Sequence, residues 1–289
     1  MNFRISVWDR PVKTHQSFKQ RFFVAMVFSW TLLLSISVLS VVAQANEKTE
    51  NVHGKLPTTA GAKHDSAHWD YLGIEGPKHW GMLSEEYMTC ETGGRQSPID
   101  IQMPRPGDHQ DTLVFDYETS EIHELNNGHT IQVSHKSGCN VGLNNRIYQL
   151  RQFHFHEPSE HHIGGKAFPM EMHLVHQDER GRILVIAVMM EIGTTQPVLD
   201  NFWNWLPDQI GKEVSIPLEV KLSEILPSNT DHFSYSGSLT TPPCTEGVQW
   251  VVLKDSMKIS QVDVQRFVEI IGHNARPIQS LGDREVGDR

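Results

Sequence analysis

Strict alternation of polar and apolar residues marks the stretch from Gln152 to His156. Phe153 and Phe155 fall on one side of an extended chain, and the other side carries Gln152, His154 and His156. Successive side chains of a β-strand point to opposite faces, so the alternation predicts a strand. This strand would bury two phenylalanines in a core and present two imidazoles and an amide on its other face.

The stretch 170–176 has the same period and predicts a second strand. One face holds Glu171, His173 and Val175, and the other holds Met172, Leu174 and His176. If the two strands lie side by side, His173 supplies a third imidazole to the same cleft.

Apolar runs predict the remaining elements. Strands are expected at about 113–115, 131–133, 146–156, 183–190 and 249–253. Asn126-Asn127-Gly128 is a hairpin turn signal. Helices are expected at about 197–210, with Phe202 and Trp203 on the apolar side, and from the N-cap candidate Ser260 to Ile271. No repeat or internal linker follows residue 65, so one mostly-β domain with peripheral helices is predicted.

The N-terminal segment has the pattern of an export signal. A basic region ends at Arg21, an uncharged apolar run covers 22–42, and Ala43 and Ala45 form a small-x-small cleavage pattern. We therefore interpret 1–45 as a signal peptide, 46–64 as a flexible polar leader and 65–289 as the single folded domain. The alternative is a retained membrane anchor, because 21 apolar residues are long enough to span a bilayer.

Charge excludes two classes of partner. The chain has 289 residues and a net charge of −10, but its first 45 residues carry +4, which leaves −14 for the remainder. A domain this acidic repels nucleic-acid phosphates and anionic lipids. Neither nucleic acid nor, after signal cleavage, a membrane is an expected partner.

Three cysteines, at positions 90, 139 and 244, allow one internal disulfide with three possible pairings. An exported protein can keep such a bond. The cysteine spacing alone does not choose the pair.

The three histidines predict a metal site. Three protein ligands with an open fourth position describe a catalytic zinc, whereas four ligands describe a closed structural site. Gln152 and Glu171 share the histidine faces and are candidates to accept the other ring N–H of a ligand. A cupin-type site, with Glu160 as a ligand, is the alternative, although its pattern requires glycines where this chain has Tyr148 and Ala167.

A second motif, S-L-T-T-P-P-C at 238–244, places two hydroxyls before two prolines that stiffen the backbone. Together with Q-F-H-F-H, S-E-H, E-M-H-L-V-H and Q-S-P-I-D-I at 96–101, it resembles the α-class carbonic anhydrases, in the family's order and from about Trp69 to Leu281. The P-S-E-H form and the export signal are similar to the family's secreted bacterial members.

The resemblance implies a fold and a reaction. The fold is a single domain around a large, mainly antiparallel twisted sheet. The reaction is the reversible hydration of carbon dioxide to bicarbonate and a proton, by zinc-hydroxide attack with a histidine proton shuttle. One Zn²⁺ per chain would be bound by His154, His156 and His173. Thr240 would hydrogen-bond to Glu160 and so orient the attacking oxygen.

The resemblance also assigns roles around the zinc. The shuttle would be His129, and connecting waters would be ordered by Tyr71, Asn127 and Gln132. The substrate pocket would contain Val175, Val185, Leu239, Thr241 and Trp250. Cys90 and Cys244 would form the disulfide, leaving Cys139 buried and reduced. A periplasmic or secreted monomer or homodimer acting on carbon dioxide and bicarbonate is expected.

A non-catalytic binding module on the same fold is the rival from another class. Relatives of that kind typically lack one or more of the zinc histidines. All three are present here, which favours the enzyme.

Overall fold

A computed structural model describes residues 67–102, 112–136 and 138–289. They belong to one compact unit, Ala62–Arg289. The predicted signal peptide (1–45) and leader (46–64) lie outside the described residues, as does the retained-anchor alternative. Within the described part of the chain, no helix has the length and apolar character needed to cross a membrane.

The described chain forms fourteen strands and four short α-helices, with three 3₁₀ turns. The strands are β1 Asp100–Ile101, β2 Leu113–Tyr117, β3 Thr119–Asn126, β4 Ile131–His135, β5 Cys139–Leu143, β6 Arg146–His156, β7 His162–Ile163, β8 Met170–Gln177, β9 Ile183–Ile192, β10 Glu213–Lys221, β11 His232–Ser238, β12 Glu246–Leu253, β13 Met257–Ile259 and β14 Gly287–Asp288. The helices are α1 Trp80–Leu83, α2 Thr89–Thr92, α3 Pro197–Trp205 and α4 Gln261–Ile271, and the 3₁₀ turns are Gly73–Glu75, Glu85–Tyr87 and Leu222–Glu224.

Twelve of the described strands form one sheet. Its main path runs β10-β3-β4-β6-β8-β9-β12-β11-β14, with β5 pairing both β2 and β6, and β13 pairing β9. All of these pairs are antiparallel except β9 with β12 and β9 with β13. A separate two-stranded parallel sheet joins β1 to β7. The predicted fold class, mostly β around a large, mainly antiparallel sheet, is confirmed.

Local signals explain where the two longer helices begin and end. Helix α4 begins after Ser260, whose hydroxyl accepts the Asp263 N–H at 3.1 Å, as the N-cap prediction requires. Helix α3 is shorter than predicted and ends at Trp205. Leu206, which precedes Pro207, leaves the helical conformation at φ −45° and ψ 123°, because a following proline disfavours helical geometry.

The alternation predicted for β6 separates two sides of the sheet. Phe153 and Phe155 are fully buried in the larger core. Their rings lie 5.7 Å from Phe202 and 4.9 Å from Trp203, respectively, so helix α3 covers this face. The histidines of β6 therefore face the opposite side of the sheet, where the candidate site lies.

A disulfide joins Cys90 in α2 to Cys244 in the loop between β11 and β12, across a sequence separation of 154 residues. The expected pairing is thus observed, and Cys139 is free and buried. The bond ties the 238–244 loop to a small apolar cluster that contains Trp80 and Tyr87.

The carboxyl group of Glu124 is buried in the sheet without a hydrogen-bond donor among the described residues. Glu124 in β3 is fully buried, and neither of its carboxyl oxygens has a hydrogen-bond partner among the described residues. Burial raises its pKa to about 8, although the Arg266 guanidinium acts in the opposite direction. The folded state therefore holds this proton over a range where the unfolded chain has released it, and stability falls as pH rises from about 4.5 to about 8.

Replacing this carboxyl with an amide is expected to stabilise the protein at alkaline pH. Glu124→Gln should raise the free energy of unfolding by about 2–4 kcal/mol at pH 8 and by little near pH 4.5. Urea unfolding of both proteins across this pH range measures the difference. The control is Glu121→Gln, an exposed position on the same strand, which should change stability little. A gain that does not vary with pH would contradict the assignment.

Candidate metal centre

Strand register brings the three predicted histidines together. His154 of β6 lies directly opposite His173 of β8, and His156 is two residues further along β6. The three residues can each offer one ring nitrogen, and these nitrogens lie within 4.8 Å of one another. The antiparallel pairing of two alternating strands is thus sufficient to build the cluster.

Hydrogen bonds fix the orientation of the two β6 imidazoles. His154 Nδ1–H donates to Gln152 Oε1 at 2.8 Å, and His156 Nδ1–H donates to the backbone carbonyl of Asn274 at 2.8 Å. Both rings therefore direct Nε2 toward the cluster. His156 Nε2 is buried and has no hydrogen-bond partner among the described residues.

The third imidazole is turned the other way. His173 Nε2–H donates to Glu171 Oε1 at 2.7 Å, which leaves its Nδ1 for the cluster. The same carboxylate accepts His161 Nδ1–H at 2.7 Å and the His161 backbone N–H at 2.8 Å. Despite full burial, which acts to raise it, the pKa of Glu171 is held well below its usual value by His161 and His173.

The donor set fits zinc. Burial lowers the pKa of His154 and His156, assisted by the neighbouring imidazoles, and so keeps them in the neutral form that binds metals. Three imidazole nitrogens with one side open match a catalytic zinc site. An unsatisfied buried nitrogen, such as His156 Nε2, is costly unless a partner fills it. A second grouping, His161 with Glu171 and His173, does not compete, because its atoms already bond to one another.

Glu160 lies beside the cluster and not in it. It is 1% exposed, and its Oε1 accepts the backbone N–H of Arg276 at 2.8 Å. Its Oε2 is buried without a hydrogen-bond partner among the described residues. The group of possible metal ligands contains the three histidines without Glu160, which disfavours the cupin-type ligand set.

The 238–244 loop is fixed from several sides. The Ser238 hydroxyl accepts the Ser97 N–H at 2.9 Å, and the Ser238 carbonyl accepts Trp250 Nε1–H at 2.9 Å. The Leu239 N–H bonds to the Thr245 carbonyl at 2.9 Å. Thr240 is only 5% exposed in this loop. These bonds restrict the position of the Thr240 hydroxyl.

Apolar side chains form a row beside the histidines. Val175 of β8 lies opposite Val185 of β9, which lies opposite Trp250 of β12. Leu239 packs against this cluster from the loop. The Trp250 ring lies 4.9 Å from the His173 ring, so the apolar wall adjoins the third histidine.

A cavity of about 130 Å³ leads from the β6 histidines to the surface. Its walls contain Trp69, Tyr71, Asn127, His129, Thr130, Gln132, Gln152, His154, His156 and Thr241. The predicted water-ordering residues and the predicted shuttle thus line one space with two of the histidines. The Asn127 side-chain oxygen Oδ1 accepts the backbone N–H groups of His129 and Thr130 at 2.9 Å each, so this side chain also shapes the turn.

The imidazole of His129 stacks on Trp69, with ring centroids 3.8 Å apart and planes 8° from parallel. Burial lowers its pKa, the Asp70 carboxylate partly opposes that shift, and His68 adds to it. His68 lies on the other side, 6.5 Å away ring to ring. His129 therefore gives the cavity wall an imidazole whose pKa is lowered.

Several residues of the site carry no sequence pattern that would mark them. Asn274 offers its carbonyl to His156, and its side chain bonds to the His129 and Phe155 carbonyls at 3.0 and 2.9 Å. The backbone of Arg276 holds Glu160. The Tyr235 hydroxyl donates to His161 Nε2 at 2.6 Å. These residues lie on loops or on strands far along the chain, and only the fold brings them to the site.

Three histidines that could hold one metal ion lie beside an apolar wall and a cavity that also contains the His129 imidazole. This arrangement is typical of one class of protein, the mononuclear metalloenzymes. Residues 75–289 match the family model for eukaryotic-type carbonic anhydrase. The chain therefore belongs to this family and is a carbonic anhydrase by class of enzyme, which supports carbon dioxide hydration as its reaction.

Individual relatives agree with the family assignment. The chain is 44% identical over 230 residues to a carbonic anhydrase from Neisseria gonorrhoeae, covering 79% of this chain and 90% of the relative. It is 40% identical over 223 residues to a carbonic anhydrase from Pectobacterium atrosepticum, covering 77% and 91%. The solved α-carbonic anhydrase of Thermovibrio ammonificans, in complex with the inhibitor sulfanilamide, has a TM-score of 0.75 and 39% identity, covering 77% of this chain and all of the other.

Proposed function

We propose that this chain hydrates carbon dioxide reversibly with one Zn²⁺ held by His154, His156 and His173. The observation that carries the proposal is the convergence of three ring nitrogens, each selected by a hydrogen bond on the opposite side of its ring. Zinc bound by three imidazoles lowers the pKa of bound water to roughly 7, a value known from carbonic anhydrases themselves.

The chain's own residues prepare the ligands. Gln152, the Asn274 carbonyl and Glu171 each accept one ring N–H, which fixes the tautomer and direction of an imidazole. Such partners typically contribute 10–100-fold in metal affinity or activity. Glu171 is shared with His161, so the position of His173 depends on a wider buried network.

Glu160 and Thr240 would orient the reacting oxygen. Glu160 is anchored through Oε1 by the Arg276 N–H, and its buried Oε2 lacks a partner among the described residues. We assign the Thr240 hydroxyl as the donor to Glu160 Oε2. Once its only proton is used in that hydrogen bond, the threonine oxygen can act only as an acceptor toward other groups. An oxygen held this way selects one orientation of its partner.

The apolar wall would hold carbon dioxide. Val175, Val185, Leu239 and Trp250 offer no hydrogen-bonding side-chain atom toward the substrate apart from the Trp250 N–H, which the Ser238 carbonyl already accepts. Thr241 adds a side chain to the cavity wall. A nonpolar substrate favours this surface, whereas the charged product, bicarbonate, does not.

His129 would carry the released proton to solvent. An imidazole accepts and releases protons near neutral pH, and this one lines the cavity that contains His154 and His156. Tyr71, Asn127 and Gln132 line the same space and would order the connecting waters. The downward shift in the pKa of His129 lowers the pH at which it becomes free to accept a proton.

Loss of the shuttle should make turnover depend on buffer. In His129→Ala we expect the maximal hydration rate in weak buffer to fall by roughly tenfold to a hundredfold, because general acid–base groups contribute at least this much. Added imidazole should restore much of the rate. The matched control is His123→Ala, a partly exposed histidine of β3 that hydrogen-bonds to Ser215 of β10, away from the cavity. Stopped-flow hydration at several imidazole concentrations measures both; a variant that stays indifferent to buffer would remove the shuttle assignment.

The test of the proposed function is stopped-flow hydration of carbon dioxide with metal analysis of the same sample. One zinc per chain and activity that disappears on zinc removal and returns on zinc addition are expected. Activity that does not follow zinc content would overturn the proposal.

The disulfide and the N-terminal pattern bear on the cellular location of the enzyme. The Cys90–Cys244 disulfide supports an oxidising compartment, and we assign the protein to the periplasm or exterior as a monomer or homodimer. N-terminal sequencing of the mature protein tests cleavage after Ala45, and a mature chain that begins at Met1 would revive the anchor.

A further inference from the structure

A groove of about 490 Å³, lined mostly by polar and charged residues, crosses β5, β6 and β8 and shares no residue with the candidate metal centre. A row of amides crosses these strands, because Asn140 is opposite Gln149 and Gln149 is opposite Gln177. Side chains paired in this way point to the same face of the sheet. Four arginines line the same groove: Arg146, Arg151, Arg180 and Arg182.

Two carboxylates also line the groove, and one of them, Asp178, already accepts hydrogen bonds from neighbouring residues. Asp178 accepts the backbone N–H groups of Arg180 and Arg182 at 2.9 Å each, and its other oxygen accepts Arg182 Nε–H at 2.5 Å. Asp178 therefore closes the turn between β8 and β9 and neutralises Arg182. Glu179 is the second carboxylate.

The other three arginines of the groove have no carboxylate partner of this kind within the described part of the chain. Among the described residues, Arg146, Arg151 and Arg180 form none of the ion pairs within 4.0 Å that other exposed cations form, such as Lys136 with Glu121 and Lys212 with Asp208. Arg151 instead donates to Gln149 Oε1 at 2.8 Å, which directs it toward the amide row. Three positive groups against Glu179 form a local basic site, although residues 46–289 as a whole carry a net charge of −14.

We propose that this groove binds a soluble polyvalent oxyanion, a small molecule with at least two phosphate or carboxylate groups. A guanidinium presents a rigid fork of donors that matches such groups, and two or three of them favour a ligand with more than one charge. The amide row supplies neutral donors and acceptors for the remaining oxygens. The ligand would bind apart from carbon dioxide, so this site does not depend on the proposed reaction.

Isothermal titration with inorganic pyrophosphate at low ionic strength tests the proposal on the zinc-loaded protein. We expect one pyrophosphate per chain at the groove. In Arg146→Ala/Arg180→Ala the affinity should fall by at least about tenfold, because each charge-assisted hydrogen bond is worth about a factor of ten. The matched control, Lys136→Ala/Lys212→Ala, removes the same charge outside the groove and should change affinity by no more than about twofold.

Two further measurements keep the result specific. Zinc content measured before and after titration shows whether removal of zinc by pyrophosphate contributes to the heat. Binding that occurs at the metal centre would remain in the groove variant, which separates it from binding in the groove. The hydration rate should be unchanged, because neither arginine belongs to the catalytic site. If the alanine variant does not fold, Arg146→Gln/Arg180→Gln replaces it. No binding by the parent protein, or an equal loss in groove and control variants, would overturn the proposal.

Discussion

His173→Ala is expected to release the zinc and to lower the carbon dioxide hydration rate by at least about a thousandfold, since several kcal/mol of catalysis depend on the metal. His173 faces His154 across the β6–β8 pair and is the one member of the three-histidine group that β8 contributes. Its removal leaves two imidazoles from a single strand. Metal analysis after dialysis and stopped-flow hydration of the same sample measure the two effects.

The control for this experiment is another buried histidine of the same strand. His176 lies on the opposite face of β8 and is fully buried, so His176→Ala perturbs packing without touching the cluster. It should destabilise the protein and still bind one zinc per chain. Zinc retained with full activity in His173→Ala would refute the ligand assignment.

Glu160→Gln is expected to keep one zinc per chain and to lower the hydration rate by roughly a hundredfold to a thousandfold, the usual effect of removing one group that positions a reacting oxygen. The glutamine carbonyl can still accept the Arg276 N–H in place of Oε1. Its NH₂ group would then occupy the Oε2 position, where an acceptor is required. The Thr240 hydroxyl would lose its acceptor while the local packing remains.

Glu171→Gln provides the contrast. Glu171 holds His173 directly through a 2.7 Å bond, so its loss should weaken zinc affinity by about 10–100-fold. Zinc affinity from competition with a chelator, measured alongside the hydration rate, separates the two glutamates. If Glu160→Gln also released zinc, Glu160 would return to the ligand set and the cupin-like alternative would regain support.

The elements that the sequence predicted best are those with a strong period. The alternation in β6 and β8 and the continuous apolar run of β9 identified three neighbouring central strands, and the Ser260 cap located α4. The weaker elements were missed. Strand β10 does alternate, with apolar residues at 214, 216, 218 and 220, but Pro217 stands in its middle and its register with β3 is irregular between Ser215 and Glu219. A proline inside an alternating run argues against a strand, which is why this one was not predicted. The overlong helix at 197–210 arose from giving apolar spacing more weight than Pro207.

The residues of the candidate site also fall into those that the sequence could identify and those that it could not. The side chains that could be named in advance occupy regular positions on paired strands or sit in a short motif. The contacts that could not be predicted come from backbone atoms, such as the Asn274 carbonyl and the Arg276 N–H. A backbone group carries no residue identity, so no sequence pattern signals its role.

The direct opposition of His154 and His173 has a consequence for the order of folding. Neither strand holds more than two of the three candidate ligands, and a register shift of one residue between β6 and β8 would turn one histidine to the wrong face. High-affinity metal uptake therefore cannot precede correct pairing of these central strands. The ion would act as a late check on assembly, binding tightly only to chains whose sheet has formed in register.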